Sequence, residues 1–107
     1  MIDTKAFDLA RFQENAASAA GLLRVMANEH RLMILCRLGA GEMSVGALSA
    51  GVDLSQSALS QHLALLRKEG LVATRREGQT IYYRLDDPAA VRVIETLAEV
   101  FCPEMLK

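Results

Sequence analysis

Between residues 55 and 70, Leu59, Leu63 and Leu66 recur at i, i+4 and i+7, the spacing that puts three leucines on one face of a helix. Ser55 suits the N-cap, because its hydroxyl can accept from a free backbone N–H, and Gly70 suits the position just past the end. The opposite face is Gln56, Ser57, Ser60, Gln61, Ala64 and Arg67, short and rich in groups that both donate and accept hydrogen bonds. A shorter helix over 45–50, opened by Ser44 and closed by Gly51, precedes it.

Upstream, residues 4–26 read as a long amphipathic helix, with Phe7, Ala10, Phe12, Ala16, Ala19, Leu22, Leu23 and Met26 near helical spacing. Asn28 caps a second helix, in which Leu32, Ile34, Leu35 and Leu38 form the core face and Cys36 lies inside, before Gly39 and Gly41 stop it. After Gly70 the period changes. Residues 71–77 and 80–85 alternate in the manner of strands around Glu77-Gly78-Gln79, where glycine supplies a positive φ. Asp87 caps the last helix, over 88–102, with Pro88 in its first turn. Val91, Ile94, Leu97, Ala98 and Phe101 make its apolar face, and Val93 and Val100 widen that stripe beyond what one neighbour covers.

The pattern is mainly helical with one small β-hairpin, in the order helix, helix, helix, helix, strand, strand, helix. At 107 residues, 51% hydrophobic and 23% charged, the chain makes one domain over 1–107 with enough apolar surface for a core, which excludes both a two-domain enzyme and a disordered segment. The N-terminus is acidic at its start and lacks a signal-peptide apolar run, and no stretch approaches the ~20 apolar residues of a bilayer helix. A cytoplasmic location without membrane contact is expected, where thiols are normally kept reduced.

A short helix, a turn at Gly51-Val52-Asp53 and a helix with a polar outer face predict a helix-turn-helix over about 44–69, with the hairpin over about 71–85 as its wing. Charge agrees with this. Over 55–84 there are five basic residues (Arg67, Lys68, Arg75, Arg76, Arg84) and two acidic ones (Glu69, Glu77), a balance of +3, whereas the remainder carries −4. A near-neutral chain with its positive charge confined to one unit has the footprint of a phosphate binder. Double-stranded DNA is the expected partner. Gln56, Ser57, Ser60 and Gln61 are candidates for reading base edges, since glutamine pairs bidentately with adenine and serine bonds to either edge type. His62 on the same helix is read as packing or DNA-facing. Arg67, Arg75, Arg76, Thr80 and Tyr82 are candidates for gripping phosphates or the minor groove.

The segment Ala27-Asn28-Glu29-His30-Arg31-Leu32-Met33-Ile34-Leu35, the string SQSALSQHLALLR over 55–67, Gly70-Leu71-Val72 and the wing over 75–83 together resemble the ArsR/SmtB family of winged-helix repressors. The resemblance covers nearly the whole chain. It implies a homodimer joined through the first and last helices, about 4–26 and 88–102, which represses promoters at an inverted-repeat operator and releases DNA when an inducer binds. No catalytic residue and no cofactor are implied. The family's metal sites do not carry over: Ser44 and Gly46 stand where its third-helix site has thiolates, and residues 88–100 hold no His or Asp. His30 and His62 are single and separated, short of the roughly four ligands zinc takes, and His30 is read as a helix-end packing or hydrogen-bonding residue.

The two cysteines remain. Two are too few for a disulfide scaffold or a four-thiolate metal site, yet enough for one redox pair. Within the family the chain is similar to a dithiol subset, the biofilm growth-associated and sulfide-responsive repressors. There the fold brings the second and last helices together, and a matching pair forms a disulfide or polysulfide bridge under reactive sulfur species or oxidants. The resemblance thus implies that Cys36 and Cys102 are the sensing residues. Three alternatives stay open at this point: a thiophilic metal or arsenite sensor using the same sulfurs, a constitutive DNA-binder with inert cysteines, and a small thiol oxidoreductase, against which the absence of a Cys-x-x-Cys motif counts.

Overall fold

The computed structural model describes residues 8–102. Its elements are α1 (Leu9–Met26), α2 (Glu29–Leu38), β1 (Met43–Ser44), α3 (Val45–Gly51), α4 (Gln56–Lys68), β2 (Val72–Glu77), β3 (Thr80–Leu85) and α5 (Pro88–Phe101). Each helix starts on a side chain that satisfies one of its free backbone donors. Asp8 accepts from the Arg11 N–H, Asn28 from Arg31, Ser44 from Ala47, Ser55 from Ala58 and Asp87 from Ala89, at 2.9–3.1 Å. The first helix is described from Leu9, with Asp8 as its N-cap; the expected start at residue 4, and Phe7, lie outside the described residues.

Gly70, at φ +81°, ends α4. Its N–H donates to the Arg67 carbonyl at 3.1 Å, and the Leu71 N–H reaches back to Leu66 at 2.9 Å. This pair of bonds satisfies the last carbonyls and buries Leu71 beside Leu66, which aims the chain straight into β2. The hairpin then turns on two residues, Gly78 and Gln79, with Gly78 at φ +63°.

The sheet is larger than the sequence pattern predicts. Three antiparallel strands lie in the order β1-β3-β2, with Ser44 opposite Tyr82 and Met43 opposite Tyr83. A two-residue strand carries no readable alternation, so β1 is invisible in the sequence. Its effect is to stitch the wing to the start of α3.

The core is built as the leucine spacing requires. Leu59, Leu63 and Leu66 of α4 are buried with Ile34, Leu35 and Leu38 of α2, Leu48 of α3, Leu71 and Val72 beside the sheet, and Ala90 and Ile94 of α5. Leu32, expected in this core, is only partly buried against it. Where α2 meets the end of α3, the Arg37 guanidinium lies over Gly51, filling the space where any Cβ would sit. The two outer helices differ from the rest. Only Met26 of α1 is buried, and Leu9, Phe12, Leu23, Val100 and Phe101 are between 47% and 75% exposed. One folded chain leaves the apolar faces of α1 and α5 open.

Candidate nucleic-acid interface and thiol pair

With its leucines anchored in the core, α4 turns Gln56, Ser57, Ser60, Gln61, Ala64 and Arg67 to solvent together. Two grooves flank this face. One, of about 500 Å³, runs between Ser60, Ala64 and Arg67 on α4 and Val45 and Tyr83 behind them. The other, of about 590 Å³, separates Gln56 and the start of α3 from Gln79, Thr80 and Ile81 at the wing tip. A convex polar helix between two grooves has the shape that enters a DNA major groove while the strands of the backbone pass on either side. Ile81, 40% exposed at the second groove, was not foreseen, because one more apolar residue in a strand signals nothing by itself.

His62 departs from the outer face. It is turned back to the start of α2, its ring centroid 5.9 Å from that of His30 and its Nδ1 3.5 Å from an Arg31 Nη. The Arg31 Nε also donates to the Val25 carbonyl, so one guanidinium joins the end of α1 to the recognition helix. Partial burial, then the charges of Arg31 and His30, push the His62 imidazole below its ordinary range. Of the two roles expected for His62, this geometry supplies packing.

The wing redistributes the predicted phosphate contacts. By strand register, Arg75, Thr80, Tyr82 and Arg84 share the outer face of the sheet, while Arg76 and Ile81 lie on the face of Val72, Tyr83 and Leu85 that meets the body. Arg76 donates to the Gly78 carbonyl at 3.1 Å and stands beside the turn, exposed and without a carboxylate partner among the described residues. Arg75 is not available in the same way. Its Nε donates to both Glu42 carboxylate oxygens at 2.8 and 2.9 Å, its Nη2 lies 2.8 Å from Glu42 Oε1, and its Nη1 is 2.7 Å from Glu77. Its guanidinium carbon stands 4.4 Å from the centre of the Tyr82 ring. These hydrogen bonds, helped by the charges of Arg75 and Arg84, hold the Glu42 carboxyl below the usual carboxylate range. Arg75, a candidate for gripping phosphate or the minor groove, is thus held by two carboxylates. Counting charge along the segment misses Glu42, which lies 33 positions from Arg75; including it lowers the local balance from +3 to +2.

Helix α2 packs on α5, and each carries one of the two cysteines, Cys36 within α2 and Cys102 at the C-cap of α5. Cys36 is exposed on α2, half a turn away from the buried Ile34 and Leu38 face. Cys102 is half-buried at the end of α5, its backbone N–H donating to the Ala98 carbonyl at 2.8 Å. Neither is bonded to another sulfur. Partial burial raises the Cys36 thiol above its ordinary range, and the proximity of Cys102 raises it further. Among the described residues, no three His, Cys, Asp or Glu side chains gather into a metal-holding group, and no helix is long and apolar enough to cross a membrane.

The comparisons with known proteins agree with this geometry. Residues 28–74 match the family model described as bacterial regulatory protein, arsR family. The biofilm growth-associated repressor of Agrobacterium fabrum is 44% identical over 101 residues, spanning 94% of this chain and 86% of that protein. The structure of reduced HlyU from Vibrio cholerae superposes with a TM-score of 0.82 at 52% identity, over 88% of this chain and 99% of the other. That of the transcriptional repressor BigR from Xylella fastidiosa gives 0.85 at 36% identity, over 90% and 98%. These relatives are transcriptional regulators and not enzymes, which removes the oxidoreductase alternative. With its winged helix-turn-helix fold and its polar recognition helix, the chain belongs to the ArsR family of DNA-binding transcriptional regulators.

Proposed function

We propose that this protein is a repressor that binds an inverted-repeat operator as a homodimer and releases it when Cys36 and Cys102 are joined by a disulfide or polysulfide bridge. The observation that carries the switch is the packing of α2 on α5, each bearing one unbonded thiol, with Cys102 near enough to Cys36 to raise its thiol, after burial. The exposed Leu9, Phe12, Leu23, Val100 and Phe101 support pairing through α1 and α5, since a second copy supplies the cover that one chain lacks. Two recognition helices one DNA turn apart, ~34 Å, then read the two half-sites. The similarity to a biofilm growth-associated repressor favours repression, and that to a relative whose structure is of a reduced form favours redox input.

The bridging chemistry balances with a low-molecular-weight persulfide as oxidant. One cysteine thiolate attacks its terminal sulfur, takes that sulfur and releases the parent thiol. The second thiolate attacks the inner sulfur of the new cysteine persulfide and expels hydrosulfide, leaving a disulfide. A further sulfur transfer before closure leaves a trisulfide, whose span exceeds that of a disulfide by about one S–S length, ~2 Å. Either bridge ties α5 to α2. An allosteric coupling of about 1–3 kcal/mol then lowers DNA affinity about 5–150-fold.

Intact-mass spectrometry and fluorescence anisotropy on an operator selected from random duplexes, before and after glutathione persulfide, test this. Loss of DNA binding together with the mass of a disulfide, trisulfide or tetrasulfide, both reversed by dithiothreitol, is expected. Cys36→Ser and Cys102→Ser variants that still respond normally would overturn it. Stoichiometric uptake of zinc or arsenite that releases DNA without oxidising the thiols would favour the metal-responsive alternative, and indifference to all of these the constitutive one.

A further inference from the structure

The Arg75 cluster joins two parts of the fold that are remote in sequence. Glu42 belongs to the loop entering β1, on one edge of the sheet; Arg75 is on β2, at the other edge. The guanidinium crosses the ring of Tyr82, its direct partner on the middle strand, to reach both oxygens of Glu42. Glu77 also holds Arg75, but it lies two residues along the same strand and travels with it. Among the described residues, Glu42 is the one carboxylate outside the hairpin that binds this arginine.

A carboxylate gripping guanidinium by two oxygens has the chemistry of a DNA phosphate gripping it, with the same charge sign and the same forked geometry. The pair is also open to water, the Arg75 side chain being 45% exposed and that of Glu42 29%. Exposed ion pairs are weak and exchange partners readily. We propose that Glu42 is an internal stand-in for a DNA phosphate: it keeps Arg75 occupied on bulk DNA and yields it only when operator contacts seat the wing. Glu42 is then a positioning residue that acts through Arg75 and tempers DNA binding without touching a base: on non-operator DNA it withholds one phosphate contact, and on the operator that contact forms at the cost of the ion pair. This rests on the DNA-binding role and deepens it.

The test compares the full-length wild type with Glu42→Gln, Arg75→Ala and the double variant, each on a random-sequence 30-bp duplex and on an operator selected by the wild type, across a salt series. In Glu42→Gln the random duplex is expected to bind several-fold more tightly, with a log–log salt slope steeper by about 0.9, the value for one added phosphate contact. Operator affinity is expected to rise at least as much, because the wild type must break the Glu42 pair to make this contact and the variant has no pair to break. In the Arg75→Ala background the Glu42→Gln gain is expected to vanish, because Glu42 acts only through Arg75. An unchanged random-duplex slope in Glu42→Gln would overturn the proposal. So would an equal gain in the Arg75→Ala background, which would mark plain charge repulsion, or an equal loss on both duplexes, which would mark a structural clamp alone. A wild type that selects no duplex would sink the DNA-binding proposal and this one together, which separates the two failures.

Discussion

Arg31, in the first turn of α2, reaches within 3.5 Å of the His62 Nδ1 on α4, so the recognition helix is seated against a fixed positive charge. Protonating His62 therefore meets Arg31, with His30 also nearby. Because the folded protein depresses this imidazole, the unfolded chain takes up the proton more readily. The stability that His62 contributes is complete above its ordinary pKa and is lost as pH falls through the depressed folded value. Thermal melts between pH 7.5 and 5 should show a falling midpoint, and His62→Gln should flatten that part of the profile. An identical acid dependence in His62→Gln would remove His62 as its source.

Cys36 gives a second pH dependence, in reactivity. Its thiol is raised by partial burial and then by Cys102, so only a small thiolate fraction is present at neutral pH. Alkylation of Cys36 by iodoacetamide should accelerate about tenfold per pH unit through the neutral and mildly alkaline range, as its thiolate fraction grows. In Cys102→Ser one of the two raising influences is gone, so Cys36 should react faster at a given pH than in the wild type. Peptide mass mapping of timed alkylations reads both effects.

Leu59 of α4 is fully buried. Leu59→Ala leaves a cavity under the recognition helix and should cost about 2–5 kcal/mol in urea unfolding. Residual folded protein should bind random and operator duplexes with proportionate losses, since the outer face of α4 is untouched.

Gly70 is held at φ +81° between α4 and β2. Gly70→Ala forces a side chain into that left-handed conformation and should destabilise the protein by about 1–2 kcal/mol. Chemical denaturation checks the figure, and an unchanged midpoint would show that the turn relaxes.

The two polar types on the outer face of α4 should separate in binding assays. Gln56→Ala or Gln61→Ala should cost about 1–3 kcal/mol on the operator for a lost bidentate base contact, with the random duplex little affected. Arg67→Ala should weaken both duplexes alike and reduce the salt slope by about 1. Anisotropy titrations at three or more salt concentrations distinguish these outcomes.

Local signals carried most of the fold. Leu59, Leu63 and Leu66 are buried as their spacing requires, and Asn28, Ser44, Ser55 and Asp87 cap the helices they precede. Each of those relationships lies within about one or two helical turns, where spacing and capping rules apply directly. The misses that bear on the site are non-local. The strand at Met43 and Ser44 exists only because Tyr82 and Tyr83 come alongside it. Glu42 acquires its role from Arg75, 33 residues on, and His62 is drawn inward by His30 and Arg31. Helical phase told which face of α4 is apolar but not what the edge positions meet, and sequence separation hid the carboxylate that holds the wing.

Ser44 has two duties: it pairs with Tyr82 in the sheet, and its hydroxyl caps α3 through the Ala47 N–H. In mechanical terms the wing thus has no hinge of its own. A tilt of β3 drags the first turn of α3, and α3 leads through a short turn into α4. Helices α3 and α4 and the hairpin form a stiff lever, and any motion that changes where this lever points has to originate at the joints it makes with α1, α2 and α5.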